Sequence, residues 1–245
     1  MAKFIFQLLY SIYTWAFVIF AMSTHLVISF LVSFFVKDKE DASIKIARVY
    51  LKVGMFLCGM RLTVKGAENI PKEGVFMLVS NHQSIIDIAM LMFAIPRKFA
   101  FVAKKELGKI PLLGWDLRMQ GHVLIDRDNA RQALREMESL KKKMINGEKS
   151  LLFFPEGTRT LDGSIGEFKK GPYKLAVQTG VKLIPIRIDG TMDILHKKSL
   201  VMKPGKVRLV IGEPITVERK DNKQEEKQYA NELMNQTREI IDSLI

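Results

Sequence analysis

Cysteine is almost missing from this chain: Cys58 stands alone among 245 residues, so no intramolecular disulfide can staple the fold. Its neighbours Met55, Phe56, Leu57 and Met60 mark it as a small buried or lipid-facing apolar residue. Histidine is nearly as scarce, with four dispersed residues, and no metal-ligand cluster is expected. There is no low-complexity tract and no internal repeat, which excludes disordered and solenoid classes. Acidic residues are in deficit: 26 Asp+Glu against 38 Lys+Arg leave a net charge of +12. Such an excess selects polyanionic partners, whether nucleic acid, an anionic membrane face or phosphorylated substrates. Nucleic acid is set aside, because no known binding motif is visible and aromatics are not interleaved with the basic residues as base stacking requires.

The longest absence is of charge. From Phe4 to Val36 there is no Asp, Glu, Lys or Arg, and only His25 titrates near neutrality. A membrane-spanning helix needs roughly 20 such residues. A signal peptide has an apolar core of only about 7–15 residues followed by a small-residue cleavage site, and neither fits here. Membrane attachment follows. After the charged break Lys37–Asp41, a second helical stretch runs from Ser43 to Met60, with Lys45, Arg48 and Lys52 at i, i+3 and i+7 on one face. A narrow basic stripe on a broad apolar helix suits an interfacial position with its cations at lipid phosphates. Residues 1–60 are therefore expected to form a two-helix membrane hairpin, held in one leaflet; the alternative is a spanning helix followed by a packed linker helix.

From Arg61 onward short β-rich runs alternate with amphipathic helices, the pattern of one α/β domain over residues 61–245. Strands are expected near Leu62–Lys65, Val75–Val79, Phe99–Ala103, His122–Ile125, Leu151–Phe154, Leu183–Ile188 and Val207–Ile211. One helix should follow an Asp128 N-cap and end before Gly147, with Leu134, Met137, Leu140, Lys141 and Met144 along one stripe. Another opens at Gly171-Pro172 and stops at Gly180, and a last one occupies Lys227–Leu244.

Two clusters carry chemistry. Asn81-His82-Gln83-Ser84-Ile85-Ile86-Asp87 lies where an apolar run turns into a helical pattern. Residues i and i+5 sit about 140° apart on a helix, so His82 must precede the helix and fold back over its first turn towards Asp87. A histidine so held by a carboxylate can take a proton from a hydroxyl. The plainer alternatives are a Ser84–Asp87 capping box and an ordinary loop histidine. In the second cluster, Leu151–Phe154 ends in Pro155-Glu156-Gly157-Thr158-Arg159-Thr160. Arg159 can grip a phosphate with both arms of its guanidinium. Backbone N–H groups near Gly157 could line a phosphate or an oxyanion.

These blocks resemble a known family. Asn81–Asp87 is similar to the H-x4-D motif of the glycerolipid acyltransferases in its N-H-Q-S-x-x-D form. Gly121–Arg127, Phe154–Thr160 and Val181–Ile186 resemble the family's further blocks, in order. Within it, N-H-Q-S with F-P-E-G-T-R and I-D-R looks like the 1-acylglycerol-3-phosphate acyltransferases. Thr160 replaces the usual serine and keeps its hydroxyl, while His122 is unusual in its block and is expected to be partly exposed.

The resemblance implies a mixed, mostly parallel sheet flanked by helices. It implies acyl transfer from an acyl thioester, acyl-CoA or acyl-carrier protein, to the sn-2 hydroxyl of lysophosphatidic acid, giving phosphatidic acid. It implies His82 as general base, Asp87 as its orienter, and Glu156, Gly157, Thr158 and Arg159 around the phosphate, with Lys105 and Lys104 adding charge. Asp126 and Arg127 could either hold two loops together or touch substrate, and Pro185 is expected to shape a strand end. Ser84 as a nucleophile is badly placed at a helix cap, and no nucleophile elbow is present. No cofactor beyond the donor thioester and no metal is implied. The setting would be a bacterial inner membrane, monotopic or single-pass, with the catalytic domain on the cytoplasmic side and an anionic membrane surface as partner. The alternatives are acylation of glycerol 3-phosphate or another lysophospholipid, and a catalytically silent lipid-binding protein on the same fold.

Overall fold

Residues 2–126 and 129–244 are described by the computed structural model. Helix α1 (Ala2–Val32) and helix α2 (Lys39–Leu57) precede strand β1 (Met60–Lys65). Then follow β2 (Phe76–Ser80), α3 (Ile86–Ala94), β3 (Ala100–Lys104), α4 (Leu113–Met119) and β4 (Val123–Ile125). The chain continues through α5 (Ala130–Ile145), β5 (Leu151–Phe153), α6 (Gly171–Thr179) and β6 (Lys182–Asp189). It ends with the short α7 (Thr191–Ile194), β7 (Gly205–Ile211) and α8 (Lys223–Ser243).

The strands form one seven-stranded sheet in the order β1-β7-β6-β2-β5-β3-β4. All neighbours are parallel except β6 and β7. The central strands are apolar without interruption because both faces are covered. Along β2, Phe76 and Leu78 enter one core with Met90, Leu91 and Ile95 of the α3 region. Met77 and Val79 enter the other, with Leu140, Met144, Tyr173, Leu233 and Ile241 of α5, α6 and α8. The mixed, mostly parallel sheet expected from the sequence is present, and each of the seven strands lies within two residues of its expected position.

Several local expectations change. Asp128 lies outside the described residues, and α5 is capped by Asn129, whose side chain accepts from the Gln132 N–H. Leu134 is 71% exposed, so the buried stripe of α5 runs through Met137, Leu140 and Met144 without it. Pro185 sits inside β6, not at its end. It falls between Ile186, where pairing with β7 begins, and the Leu183–Ile215 bridge, where a missing N–H leaves no ladder bond unmade.

The hairpin of α1 and α2 packs on the body. Helix α2 starts earlier than expected, at Lys39, because Asp38 caps it by accepting the Asp41 N–H. Glu40 and Asp41 in its first turn suit the positive end of the helix dipole. Arg48, expected at lipid phosphates, turns inward instead. Its guanidinium donates to the carbonyls of Met92, Ile95, Pro96 and Arg97 at the end of α3, satisfying acceptors a helix C-terminus leaves open. Among the described residues α1 is the one helix long and apolar enough to cross a membrane, over Phe4–Val32, and only 17% of its most apolar window is buried.

Candidate active site

Parallel pairing sets Val79 of β2 beside Phe153 of β5. The loops leaving both strands emerge at one edge, and residues three further on, His82 and Glu156, meet. The His82 N–H donates to Glu156 Oε1 at 2.8 Å, and the Thr160 N–H donates to the His82 carbonyl at 2.9 Å. The two polar clusters seen in the sequence thus form one site at the carboxyl ends of adjacent strands, where open α/β sheets place ligands.

Asn81 prolongs β2 with its side chain: Nδ2 donates to the Ile188 carbonyl and Oδ1 accepts the Ile188 N–H, at 2.9 and 2.8 Å. That tie to β6 fixes where His82 leaves the sheet. Asp87, fully buried in the first turn of α3, gathers the loop around its carboxylate. Its Oδ2 receives His82 Nδ1 at 2.7 Å and the N–H groups of Gln83 and Ser84 at 2.7 and 2.9 Å, while Oδ1 accepts the Thr191 hydroxyl. Asp87 thus orients the imidazole and forms one half of the capping box, on the Ser84 N–H; the other half is absent because the Ser84 hydroxyl is engaged elsewhere. An ionised carboxylate only accepts, so the His82 proton belongs on Nδ1 and the Nε2 lone pair is left over. Among the described residues Nε2 has no hydrogen-bond partner. The ring stacks on Phe154 at 3.9 Å between centroids, which fixes its plane. A positioned imidazole with one free basic nitrogen can deprotonate a hydroxyl brought within hydrogen-bond reach.

Ser84 is not available as a nucleophile, since its Oγ donates to the Leu195 carbonyl at 2.7 Å. Glu156, placed by the resemblance among the phosphate-holding residues, has both oxygens committed to backbone: Oε1 to His82 and Oε2 to the Gly166 N–H at 3.0 Å. It buckles the loops together. Burial raises its pKa, and those two N–H donors partly offset the rise. Those two bonds set the His82 loop against the loop that carries Gly166.

Gly157 adopts φ +70, and a Cβ there would lie 2.8 Å from the Lys169 ammonium. The left-handed backbone favours glycine here, while the lysine end could swing aside. Its N–H returns to the Phe154 carbonyl and is not open to an oxyanion, whereas those of Thr158 and Arg159 have no protein acceptor among the described residues. Thr158 is exposed and Arg159 half-buried, with no partner for its guanidinium among the described residues. Lys197 Nζ donates to Thr158 Oγ1 at 2.8 Å and to the Arg159 carbonyl at 2.7 Å. Three cations, Arg159, Lys169 and Lys197, therefore attend one turn. Lys169 and Lys197 were invisible to sequence reasoning, because a lysine in a Lys-Lys pair reads as ordinary solvation until topology places it.

Lys104 ends β3 and Lys105 opens the 3-10 turn after it, at the same edge but beyond β5, about 10 Å from β2 at the usual strand spacing. Lys105 lies 3.4 Å from the Asp126 carboxylate, and Lys104 lies 3.6 Å from Glu106. Asp126 also accepts the Asn129 N–H at 3.2 Å, which favours its loop-holding role. Arg127 lies outside the described residues. His122, expected partly exposed, is buried against Phe101 at the far end of the sheet, 3.8 Å between centroids. Burial pushes its pKa down to about 3.

Comparison with known proteins places this geometry. Residues 61–189 match the family model described as acyltransferase. A 1-acyl-sn-glycerol-3-phosphate acyltransferase of Chlamydomonas reinhardtii is 37% identical over 62% of this chain and 46% of its own length. The alpha form of that enzyme from Mus musculus is 32% identical over 75% of this chain and 65% of its own length. The match thus spans about half the length of the first of these relatives. The crystal structure of the 1-acyl-sn-glycerophosphate (LPA) acyltransferase PlsC from Thermotoga maritima superposes with a TM-score of 0.80 at 30% identity, covering 99% of this chain and 100% of that one.

Proposed function

Since the chain belongs to the acyltransferase family, we propose that it transfers a fatty acyl group from an acyl thioester to the sn-2 hydroxyl of 1-acylglycerol 3-phosphate, giving phosphatidic acid. The observation that carries the reading is the free Nε2 of an Asp87-held imidazole on the same loop cluster as Arg159. His82 Nε2 takes the hydroxyl proton as the oxygen attacks the thioester carbonyl. The tetrahedral intermediate then expels the thiolate, which recovers that proton from the imidazolium. No acyl-enzyme is needed, and the donor thioester, on CoA or on a carrier protein, is the only further reactant. Arg159, with Lys169 and Lys197 beside it, holds the acceptor's phosphate. Lys104 and Lys105 extend the positive field at the same sheet edge.

The acceptor is a lipid, so the site must open at a membrane. Ser11 and His25 of α1 both bond to the body, at Met202 and Asp116. They are separated by about 21 Å of helix at 1.5 Å per residue. A body joined to α1 at both points cannot stay on one side of a hydrocarbon layer about 30 Å thick that α1 crosses. We therefore read α1 as lying in one leaflet of a cytoplasm-facing bacterial inner membrane, which brings the site to the headgroups. The test is thiol release from acyl-CoA by the purified protein with a panel of acceptors. Release that depends on lysophosphatidic acid supports the assignment. Release with glycerol 3-phosphate or lysophosphatidylcholine in its place, or with no acceptor, would overturn it.

A further inference from the structure

The segment between α7 and β7 touches both the site and α1. At one end Lys197 holds Thr158 and Arg159, and His196 Nε2 lies 3.2 Å from the Leu161 carbonyl. At the other, Trp15 Nε1 donates to the Leu200 carbonyl at 2.8 Å, and Ser11 Oγ accepts the Met202 N–H at 3.0 Å. Between these ties the chain turns its largest apolar side chains outward: Leu200 is 75% exposed and Val201 39%. Leu8 and Ile12, flanking Ser11 on α1, are 47% and 58% exposed, so the apolar surface of the helix continues onto the loop. Lys198 and Lys203 flank the tip and are exposed.

We propose that residues 198–203 form a second membrane contact, with Leu200 and Val201 inserted among the acyl chains and Lys198 and Lys203 set against anionic headgroups. The proposal rests on the single-leaflet reading of α1 given above. Apolar tips flanked by cations are the composition of an interfacial insertion, since the apolar atoms gain by leaving water while ammonium groups stay at the phosphates. The loop's other end is the Lys197 clamp. Docking would therefore brace the turn carrying Arg159 at the depth where a lipid phosphate arrives, and the site mouth would be completed by the membrane itself.

The full-length protein, with Cys58→Ala removing the buried thiol, is spin-labelled singly at Leu200→Cys, at Ile12→Cys on α1, or at the exposed Leu134→Cys on α5. Each is placed in vesicles of equal phosphatidylglycerol and phosphatidylcholine, and relaxation by oxygen is compared with relaxation by a water-soluble nickel chelate. The expected result is a several-fold higher oxygen-to-nickel ratio at positions 12 and 200 than at position 134, the contrast at position 200 shrinking in phosphatidylcholine alone. A label at 200 that reads as water while the one at 12 reads as lipid would overturn the proposal and leave the anchor standing. Water at both would remove the anchor as well. Shielding of the 200 label from both relaxers with spin–spin broadening would assign the patch to a second copy of the chain and also overturn it. As a second measurement, Leu200→Asp with Val201→Asp should lower acylation of vesicle-held acceptor about tenfold, the scale of one lost leucine insertion. A short-chain acceptor free in solution should be acylated at an unchanged rate; an equal loss on both acceptors would contradict a membrane role.

Discussion

Two histidine–aspartate pairs of the same length sit in this molecule, and their surroundings differ. His82 Nδ1 lies 2.7 Å from Asp87, and His25 Nδ1 lies 2.7 Å from Asp116. The difference is at the other nitrogen. His25 Nε2 is taken up by the Ser43 carbonyl at 3.0 Å and the Ser29 hydroxyl at 3.1 Å, within a side chain 5% exposed. His82 Nε2 has no partner among the described residues, and its side chain is 15% exposed at the carboxyl edge of the sheet. A paired imidazole becomes a base only where its second nitrogen is left open to a reactant. Where both are occupied the same pair is a rivet, here between α1 and α4. The teaching is that the His–Asp distance says nothing about catalysis until the far nitrogen is examined.

The contrast can be broken by exchanging damage between the pairs. His82→Ala should cut turnover by about 10²–10⁴-fold, the usual range for a general base. Its melting temperature should stay close to that of the parent, because Gln83, Ser84 and Thr191 still hold Asp87. Turnover near the parental level would end the base assignment. His25→Ala should do the reverse. Losing one member of a buried pair destabilises by about 3–5 kcal/mol, read as a lowered denaturation midpoint in detergent, while activity per folded molecule is retained. A large loss of turnover with normal stability would mean the two pairs are not distinct in role.

Smaller effects sharpen the picture. Arg159→Lys should raise the apparent KM for the phosphorylated acceptor about tenfold, since a point charge replaces a two-armed hydrogen-bonding group; a change confined to the donor's kinetics would count against the role. The smallest effect belongs to His122. It is held neutral by burial with a folded pKa of about 3, whereas unfolded histidine titrates near 6.5. The unfolded state therefore binds the extra proton between those values, and this residue's contribution to stability, full above about pH 6.5, is lost as pH falls towards 3. The slope is at most about 1.4 kcal/mol per pH unit. His122→Phe, which keeps an aromatic ring against Phe101, should lose less stability between pH 7 and pH 5 in denaturant titrations; identical slopes would refute the assignment.

Much of this was legible in the residue order. Seven strands and the long helices announced themselves, because apolar periodicity is set by burial of one face or two. Helix starts shifted to follow the residues that cap them, Asn129 in place of its neighbour Asp128, and Asp38 four residues before the position that a start at Ser43 implies. The misreadings share a cause. Arg48 was expected at lipid phosphates and His122 partly exposed, and each is instead bound or buried inside the protein. The role of Asn81 in tying β2 to β6, and the places of Lys169 and Lys197 beside the Gly157–Arg159 turn, carried no legible signal, since each depends on how separate loops and strands meet.

The chain order by itself determined the strand and helix pattern, the apolar first helix, and the two motifs with their chemical capacity. Those properties are local: they depend on side-chain type and on spacing along a few turns or residues. What only the tertiary structure decided is which polar groups remain unspent. Parallel register between β2 and β5 sets His82 against Glu156, and long-range packing occupies His25 while leaving His82 Nε2 open. A hydrogen-bonding group has a fixed capacity, and whether it serves the fold or a ligand depends on which distant atoms have already claimed it.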